Sequence, residues 1–275
     1  MPKTFNERLR NGEKLYGTLI VSTAPQWAEN FSKLGLDFVF IDTEHIAIGR
    51  NTLSWMCQTY RALNLNPIVR ILRPDPFLAS RTLDGGACGI IAPYVESVEE
   101  ALDLVGAVKL HPVKGKKLQS ILGGAETPSE ELTGYLEKKS ANRTLILNIE
   151  SVEAIKNLDE ILAIDGVDGV LIGPHDLSCS LEQPENYYNG SFDQAVREII
   201  QKARDKGKGA GIHFAMGAGK IDLELEWIKA GANFILHSAD IIAAIDALRT
   251  EFSILKSRPY PSGAELSSSE ESINI

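Results

Sequence analysis

The chain has 275 residues, a length that suits one large domain, two small ones, or a single (β/α)8 barrel of roughly 250 residues. Its hydrophobic fraction of 44% supports a sizeable core, and its net charge of −9 argues against an extended nucleic-acid surface, which needs clustered Lys and Arg. No apolar run approaches the ~18 residues of a membrane span, and the N-terminal MPKTFNERLR lacks a signal-peptide core.

Short β-branched runs alternate with helix-period segments along the whole chain. The first candidate strand, YGTLIVS (16–22), leads into the amphipathic APQWAENFSKLG. The second, DFVFIDTEH (37–45), precedes NTLSWMCQTYRALN, whose apolar residues recur at three- and four-residue spacing. The third and fourth strands are PIVRIL (67–72) and GIIAPYV (89–95). A Lys- and Gly-rich interruption then spans about 114–141, becoming helical again at PSEELTGYLEKK, and reads as an insertion on the barrel rim.

The fifth and sixth strands, RTLILNIES (143–151) and VDGVLIGP (167–174), flank the helical SVEAIKNLDEILAI. FDQAVREIIQKARDKG precedes the seventh strand, GAGIHFA (209–215), and the eighth is NFILHSAD (233–240). Gly35, Gly166, Gly207 and Gly231 close helices just before strands, as αβ turns prefer. Eight apolar strands alternating with helices predict parallel βαβ units, and the count favours a closed α/β (β/α)8 barrel over residues 1–256. The polar tail 257–275 is expected to be disordered or an arm onto a neighbouring subunit. Cys57, Cys88 and Cys179 are odd in number and lack metal-ligand spacing, so they read as reduced thiols of a cytoplasmic protein.

In such a barrel the reactive face is built from the C-terminal ends of the strands. The polar residues there are Asp42, Glu44 and His45 on the second strand, Arg70 on the third, Asn148 and Glu150 on the fifth, and His175 and Asp176 after the sixth. His213 and His237 lie on the last two strands and read as structural. Glu150 and Asp176, 26 residues apart, fall on neighbouring strands and suit two ligands of one hard dication with an open shell, as Mg²⁺ or Mn²⁺ prefers. Plainer alternatives are that Glu150 caps the helix beginning at Ser151, that Asp176 caps a turn, and that Arg70 makes a structural ion pair. His45, flanked by acids, is a candidate acid/base group.

From about Tyr16 to about Phe252 the chain resembles the class II pyruvate aldolases of the HpcH/HpaI family. The blocks FVFIDTEH, PIVRI, LDGGACGIIAPYVESVEEA and IESVEAIKNLDEILAIDGVDGVLIGPHDLS carry the likeness. The resemblance implies cleavage of 4-hydroxy-2-oxo acids to pyruvate and an aldehyde through a stabilised enolate. It makes Glu150 and Asp176 ligands of Mg²⁺ or Mn²⁺, with Co²⁺ or Zn²⁺ as alternatives. It puts Asn148 beside the metal, the pyruvate carboxylate on the N–H groups of the Gly173-Pro174-His175 turn, and Arg70 on the ketone oxygen. His45 becomes the acid/base group, supported by Asp42 and by Asp84 reaching across a subunit interface in a hexamer built as a trimer of dimers.

The chain departs from the family pattern at Asn148 (commonly Gln), at His175 (often small) and at GKKLQS (115–120), segments taken to shape the pocket. Related enolate chemistry stays open: a citryl- or malyl-CoA-type lyase using Lys114, Lys116 and Lys117, a 2-oxo-acid decarboxylase, a macrophomate-synthase-like enzyme, or a non-catalytic 2-oxo-acid binder.

Overall fold

A computed structural model describes residues 3–214 and 221–257. All eight expected strands are present: β1 (Leu15–Leu19), β2 (Phe38–Asp42), β3 (Asn66–Arg70), β4 (Gly89–Ala92), β5 (Thr144–Ile149), β6 (Gly169–Ile172), β7 (Gly209–Phe214) and β8 (Phe234–Ala239). They pair in parallel in sequence order, and β1 pairs with β8 to close the barrel. The fold is thus an α/β (β/α)8 barrel. Of the tail expected over 257–275, only Ser257 lies within the described residues.

The barrel interior is filled by residues spaced two apart on each strand. Phe38 and Phe40 of β2, Ile68 of β3, Ile91 of β4, Ile146 of β5, Leu171 of β6, and Phe234 and Leu236 of β8 form one buried cluster. Side chains alternate across a strand, so the next position in phase also points inward. That phase runs from Phe40 to Asp42, from Ile68 to Arg70 and from Ile146 to Asn148. The inward rows therefore begin apolar and end polar at the strand tips.

Helix α1 (Phe5–Arg10) closes the opposite end, contributing Phe5 and Leu9 to the same cluster. Phe5 meets Phe38 edge-on at 5.8 Å, and Phe38 stacks on Phe234 at 4.3 Å. Gly17 leaves room for this layer, because a Cβ there would stand 2.4 Å from the Phe38 ring.

The outer layer comprises α2 (Pro25–Phe31), α3 (Arg50–Ala62), α4 (Pro76–Asp84), α5 (Val98–Lys109), α11 (Gly190–Asp205), α12 (Ile221–Lys229) and α13 (Asp240–Ser257), with shorter pieces between. The predicted αβ-turn glycines all take positive φ: Gly35 at 70°, Gly166 at 99°, Gly207 at 66° and Gly231 at 116°. SVEAIKNLDEILAI forms two helices, α8 (Val152–Lys156) and α9 (Leu158–Leu162), broken at Asn157, whose side chain bonds the Glu96 carbonyl.

The 114–141 segment forms α6 (Gly115–Leu122) and α7 (Glu130–Ser140), both packed on α5. It joins α5 to the start of β5, so it belongs to the end of the barrel where strands begin. The expectation that it shapes the pocket of its own barrel is therefore not met by the topology. Lys117 pairs with Glu126 at 2.8 Å rather than facing the strand tips.

Candidate active site

Register builds the centre of the site. Asp42 and Arg70 are directly paired across β2 and β3, and both are last in their strands. Arg70 gives its Nε to Asp42 Oδ1 at 2.9 Å and its Nη2 to Asp42 Oδ2 at 2.7 Å, a bidentate pair that is almost fully buried. Burial alone would raise the Asp42 carboxyl, but the bond to Arg70 and its charge outweigh it and hold Asp42 below the usual range. The guanidinium also lies over the Phe40 ring at 5.5 Å.

Glu44 joins this pair, with Oε2 at 3.1 Å from Arg70 Nε. Its Oε1 stands 3.7 Å from His45 Nε2, so the carboxylate nearest His45 is Glu44, while Asp42 is committed to Arg70. His45 itself is 59% exposed at the mouth. The interaction with Glu44, followed by burial, pushes the Tyr94 phenol up to about 12.

Glu150 is buried beside them at the end of β5. Asn148 Nδ2 donates to its Oε1 at 2.7 Å, and the Tyr94 N–H donates to its Oε2 at 3.1 Å. Burial, reinforced by the charge of Asp176, lifts the Glu150 carboxyl above its ordinary value despite those bonds. Glu150 caps no helix, because the Ser151 side chain itself accepts from the Ala154 N–H at the start of α8.

Gly173 at the tip of β6 is obligatory for this arrangement, since a Cβ there would stand 2.4 Å from Glu150 Oε1. Beyond it α10 (Pro174–Ser180) starts with proline and has no side-chain cap, leaving the first-turn N–H groups free of a side-chain acceptor. Asp176 sits in that first turn. His175 points outward, 62% exposed and 3.5 Å from Glu185.

Asp84 is not brought to these strand tips. It ends α4, 61% exposed and 3.7 Å from His111, and lines an outer groove of about 770 Å³ with Arg50, Phe77 and Lys114. His213 points into the barrel with its ring edge on Phe40 at 5.2 Å; burial, then the Arg70 charge, pushes it down to about 3, so it stays neutral. His237 bonds Glu224 at 2.7 Å.

Asp42, Glu44 and Glu150 thus gather around one guanidinium, with the half-buried Asp176 close enough to act on Glu150. Such an excess of buried negative charge requires a cation, and the Asn148 Oδ1 beside it is buried without a partner. Among the described residues no set of three or more His, Cys, Asp or Glu side chains forms a metal cluster. The residues present fit an open oxygen-donor site in which Glu150 and Asp176 would hold a hard dication. Sequence reasoning left Glu44 without a role and did not single out Tyr94, which carries no motif signal.

A barrel with this charge arrangement at its strand tips is the framework of a carbon–carbon lyase, a class II aldolase. The comparisons agree. The sequence profile of the HpcH/HpaI aldolase/citrate lyase family matches residues 16–247, and the chain belongs to that family. It is 31% identical to 2-keto-3-deoxy-L-rhamnonate aldolase of Escherichia coli (strain K12), covering 92% of this chain and 93% of the relative.

Among solved structures, an HpcH/HpaI aldolase from Desulfitobacterium hafniense DCB-2 superposes with a TM-score of 0.78 at 25% identity, covering 94% of this chain and 98% of that one. Citrate synthase SbnG superposes at 0.77 with 26% identity over 92% and 97%. The family generally depends on a divalent metal. No described helix is long and apolar enough to cross a membrane.

Proposed function

We propose that the strand-tip site cleaves or forms 4-hydroxy-2-oxo acids of the 2-keto-3-deoxy sugar-acid class, with Glu150 and Asp176 holding Mg²⁺ or Mn²⁺. The observation that carries this reading is Glu150. It is a buried carboxylate lifted by its surroundings, seated against a glycine that admits it and beside other carboxylates that exceed their one guanidinium. The cation, when bound, supplies Lewis-acid stabilisation of negative charge on the 2-oxo oxygen.

The chain's own residues do the rest. The uncapped first turn of α10, with the Gly173 and His175 N–H groups, receives the substrate carboxylate. Arg70, fixed by Asp42 on one edge of its fork, directs its remaining N–H groups at the developing oxyanion. His45, exposed at the mouth beside Glu44, takes the proton of the C4 hydroxyl as the C3–C4 bond breaks. The name of the Escherichia coli relative supports the substrate class. Lys114, Lys116 and Lys117, on the segment that enters β5, give no groove for CoA phosphates at the strand tips.

Asp84, open to a neighbour, supports a shared site in a homo-oligomer, a hexamer built as a trimer of dimers. The apolar exposure of Ile245, Leu248, Phe252 and Leu255 on α13 supports association as well. The three free cysteines fit a reducing cytoplasm.

The deciding experiment incubates protein and Mn²⁺ with pyruvate in D₂O and follows the methyl signal by NMR, alongside cleavage of a panel of 2-keto-3-deoxy acids. Metal-dependent exchange that vanishes in Glu150→Ala, with cleavage of at least one acid, is expected. Exchange without cleavage would move the protein to another enolate chemistry, and absence of both would leave a binder.

A further inference from the structure

The seam that closes the barrel is irregular at its mouth end. Gly17 pairs with Leu236 and Leu19 with Ala239, so β8 carries one residue more than β1 over this stretch. Ser238 lies in that bulge with a φ of 54°, left-handed backbone in a residue other than glycine. A bulge at a barrel rim ends regular pairing and re-aims the residues around it.

Just beyond the bulge stands Asp240, only 3% exposed at the start of α13. Its Oδ1 accepts from the Val21 N–H at 3.0 Å and its Oδ2 from the Ser22 N–H at 2.9 Å. The Ile241 N–H adds a third bond, to Oδ1 at 2.7 Å. Three backbone donors thus satisfy a buried carboxylate that none of the roles above uses. Ser22 Oγ in turn accepts from the Ala24 N–H at 3.3 Å, just before Pro25 opens α2. The segment from β1 to α2 is therefore anchored on the end of β8 through one side chain.

That segment stands beside the proton-transfer end of the site. β1 neighbours β2, and the Ile20 N–H donates to the Phe40 carbonyl at 2.9 Å. Val21 follows β1 and Ile46 follows His45 beyond β2; both are partly buried and pack on the interior cluster. Because both come after the strand tips, they do so at the mouth. Arg70, Glu150 and Asp176 belong to β3, β5 and the turn after β6, where the 2-oxo-acid half is held. The aldehyde half departs from His45, on the side of this apolar pair.

We propose that Asp240 is a positioning residue for the aldehyde half of the substrate. By gripping the Val21 and Ser22 N–H groups it holds Val21, with Ile46, as an apolar wall that presents the aldehyde carbonyl to His45. This rests on the role given above to His45.

Asp240→Asn tests it, because the amide keeps the size of the side chain and turns an NH₂ group toward one of the two backbone donors. In the condensation of pyruvate with lactaldehyde over Mn²⁺, KM for the aldehyde should rise about tenfold, with KM for pyruvate at its wild-type value. The product should also lose configurational purity at C4, since a displaced wall lets the aldehyde present either face. Val21→Ala keeps the carboxylate grip and removes the wall, so it should reproduce both changes even if Asp240→Asn fails to fold. An equal rise in both KM values, a wild-type product ratio in both variants, or a change confined to thermal stability would each overturn the proposal.

Amide hydrogen exchange gives a readout without turnover. Protection of the Val21 and Ser22 amides should fall in Asp240→Asn, and unchanged protection would overturn the anchoring role. A wild-type protein that neither exchanges the pyruvate methyl nor forms product would sink the functional reading and this inference with it. Wild-type turnover with an unmoved aldehyde KM in both variants would sink this inference alone.

Discussion

Asp42 gives both carboxylate oxygens to the same edge of Arg70, at 2.9 Å and 2.7 Å, inside a barrel tip where both residues are nearly inaccessible. Breaking a buried pair from one side leaves the other charge without compensation. Asp42→Ala is therefore expected to cost about 3 kcal/mol in urea unfolding, softened to the extent that Glu44 takes over Arg70 Nε. The folded Asp42 lies below its ordinary value, so the stability it contributes is present above that ordinary value and is lost as pH falls through the folded one. The acid limb of a urea-midpoint profile should be shallower in Asp42→Asn than in the wild type.

Gly173→Ala should damage metal binding with little effect on the barrel. The added Cβ would stand 2.4 Å from Glu150 Oε1, and the flexible carboxylate is the partner able to yield. Displacing a ligand in this way typically lowers metal affinity by about 10–100-fold. Titration calorimetry with Mn²⁺ beside circular dichroism checks it; wild-type affinity would refute the placement of Glu150 as a ligand.

Glu150 carries the opposite linkage from Asp42. Its folded value is raised, first by burial and then by Asp176, so the folded state binds the proton more tightly than the unfolded chain. Its contribution is fully present below the ordinary glutamate value and is lost as pH rises through the raised folded value. A bound dication removes that penalty. The gain in Tm from Mn²⁺ should thus be larger at neutral than at mildly acid pH, and Glu150→Gln should flatten the dependence, as scanning calorimetry would reveal.

His237 and Glu224 tie β8 to α12 at 2.7 Å, and the bond raises the imidazole above its ordinary value against the opposing effect of burial. The stability from this pair is fully present below the ordinary histidine value and disappears as pH rises through the folded one. With 41% of the side chain exposed the effect is small. An NMR titration of His237 should show its midpoint fall back in Glu224→Gln, while aldol cleavage persists.

Asp84 offers a test of a shared site. Asp84→Ala and His45→Ala proteins, each inactive, should regain activity when unfolded together and refolded as a mixture. If each chain carried a complete site, the mixture would stay inactive.

Much of the site could be read from residue order alone. A strand imposes a two-residue period, so the run Phe38, Phe40, Asp42 and the run Ile68, Arg70 already declare which side chains meet inside the barrel. The glycines that end helices with positive φ were legible for a similar local reason: αβ turns need a conformation that side chains resist. The αβ character, the eight strands and the acidic pair on neighbouring strands follow from such short-range rules.

Partnership was decided by the tertiary structure. Whether Asp42 served His45 or Arg70 depended on the register between β2 and β3, which places Asp42 opposite Arg70. The 114–141 segment looked like a rim feature because sequence distance does not record which end of a barrel a connection occupies. Tyr94 had no signal at all, since its N–H reaches Glu150, 56 residues away, only in three dimensions. Periodicity and turn chemistry act through neighbours along the chain and are written in its order; charge pairing acts through space, and only closure of the barrel brings the charges together.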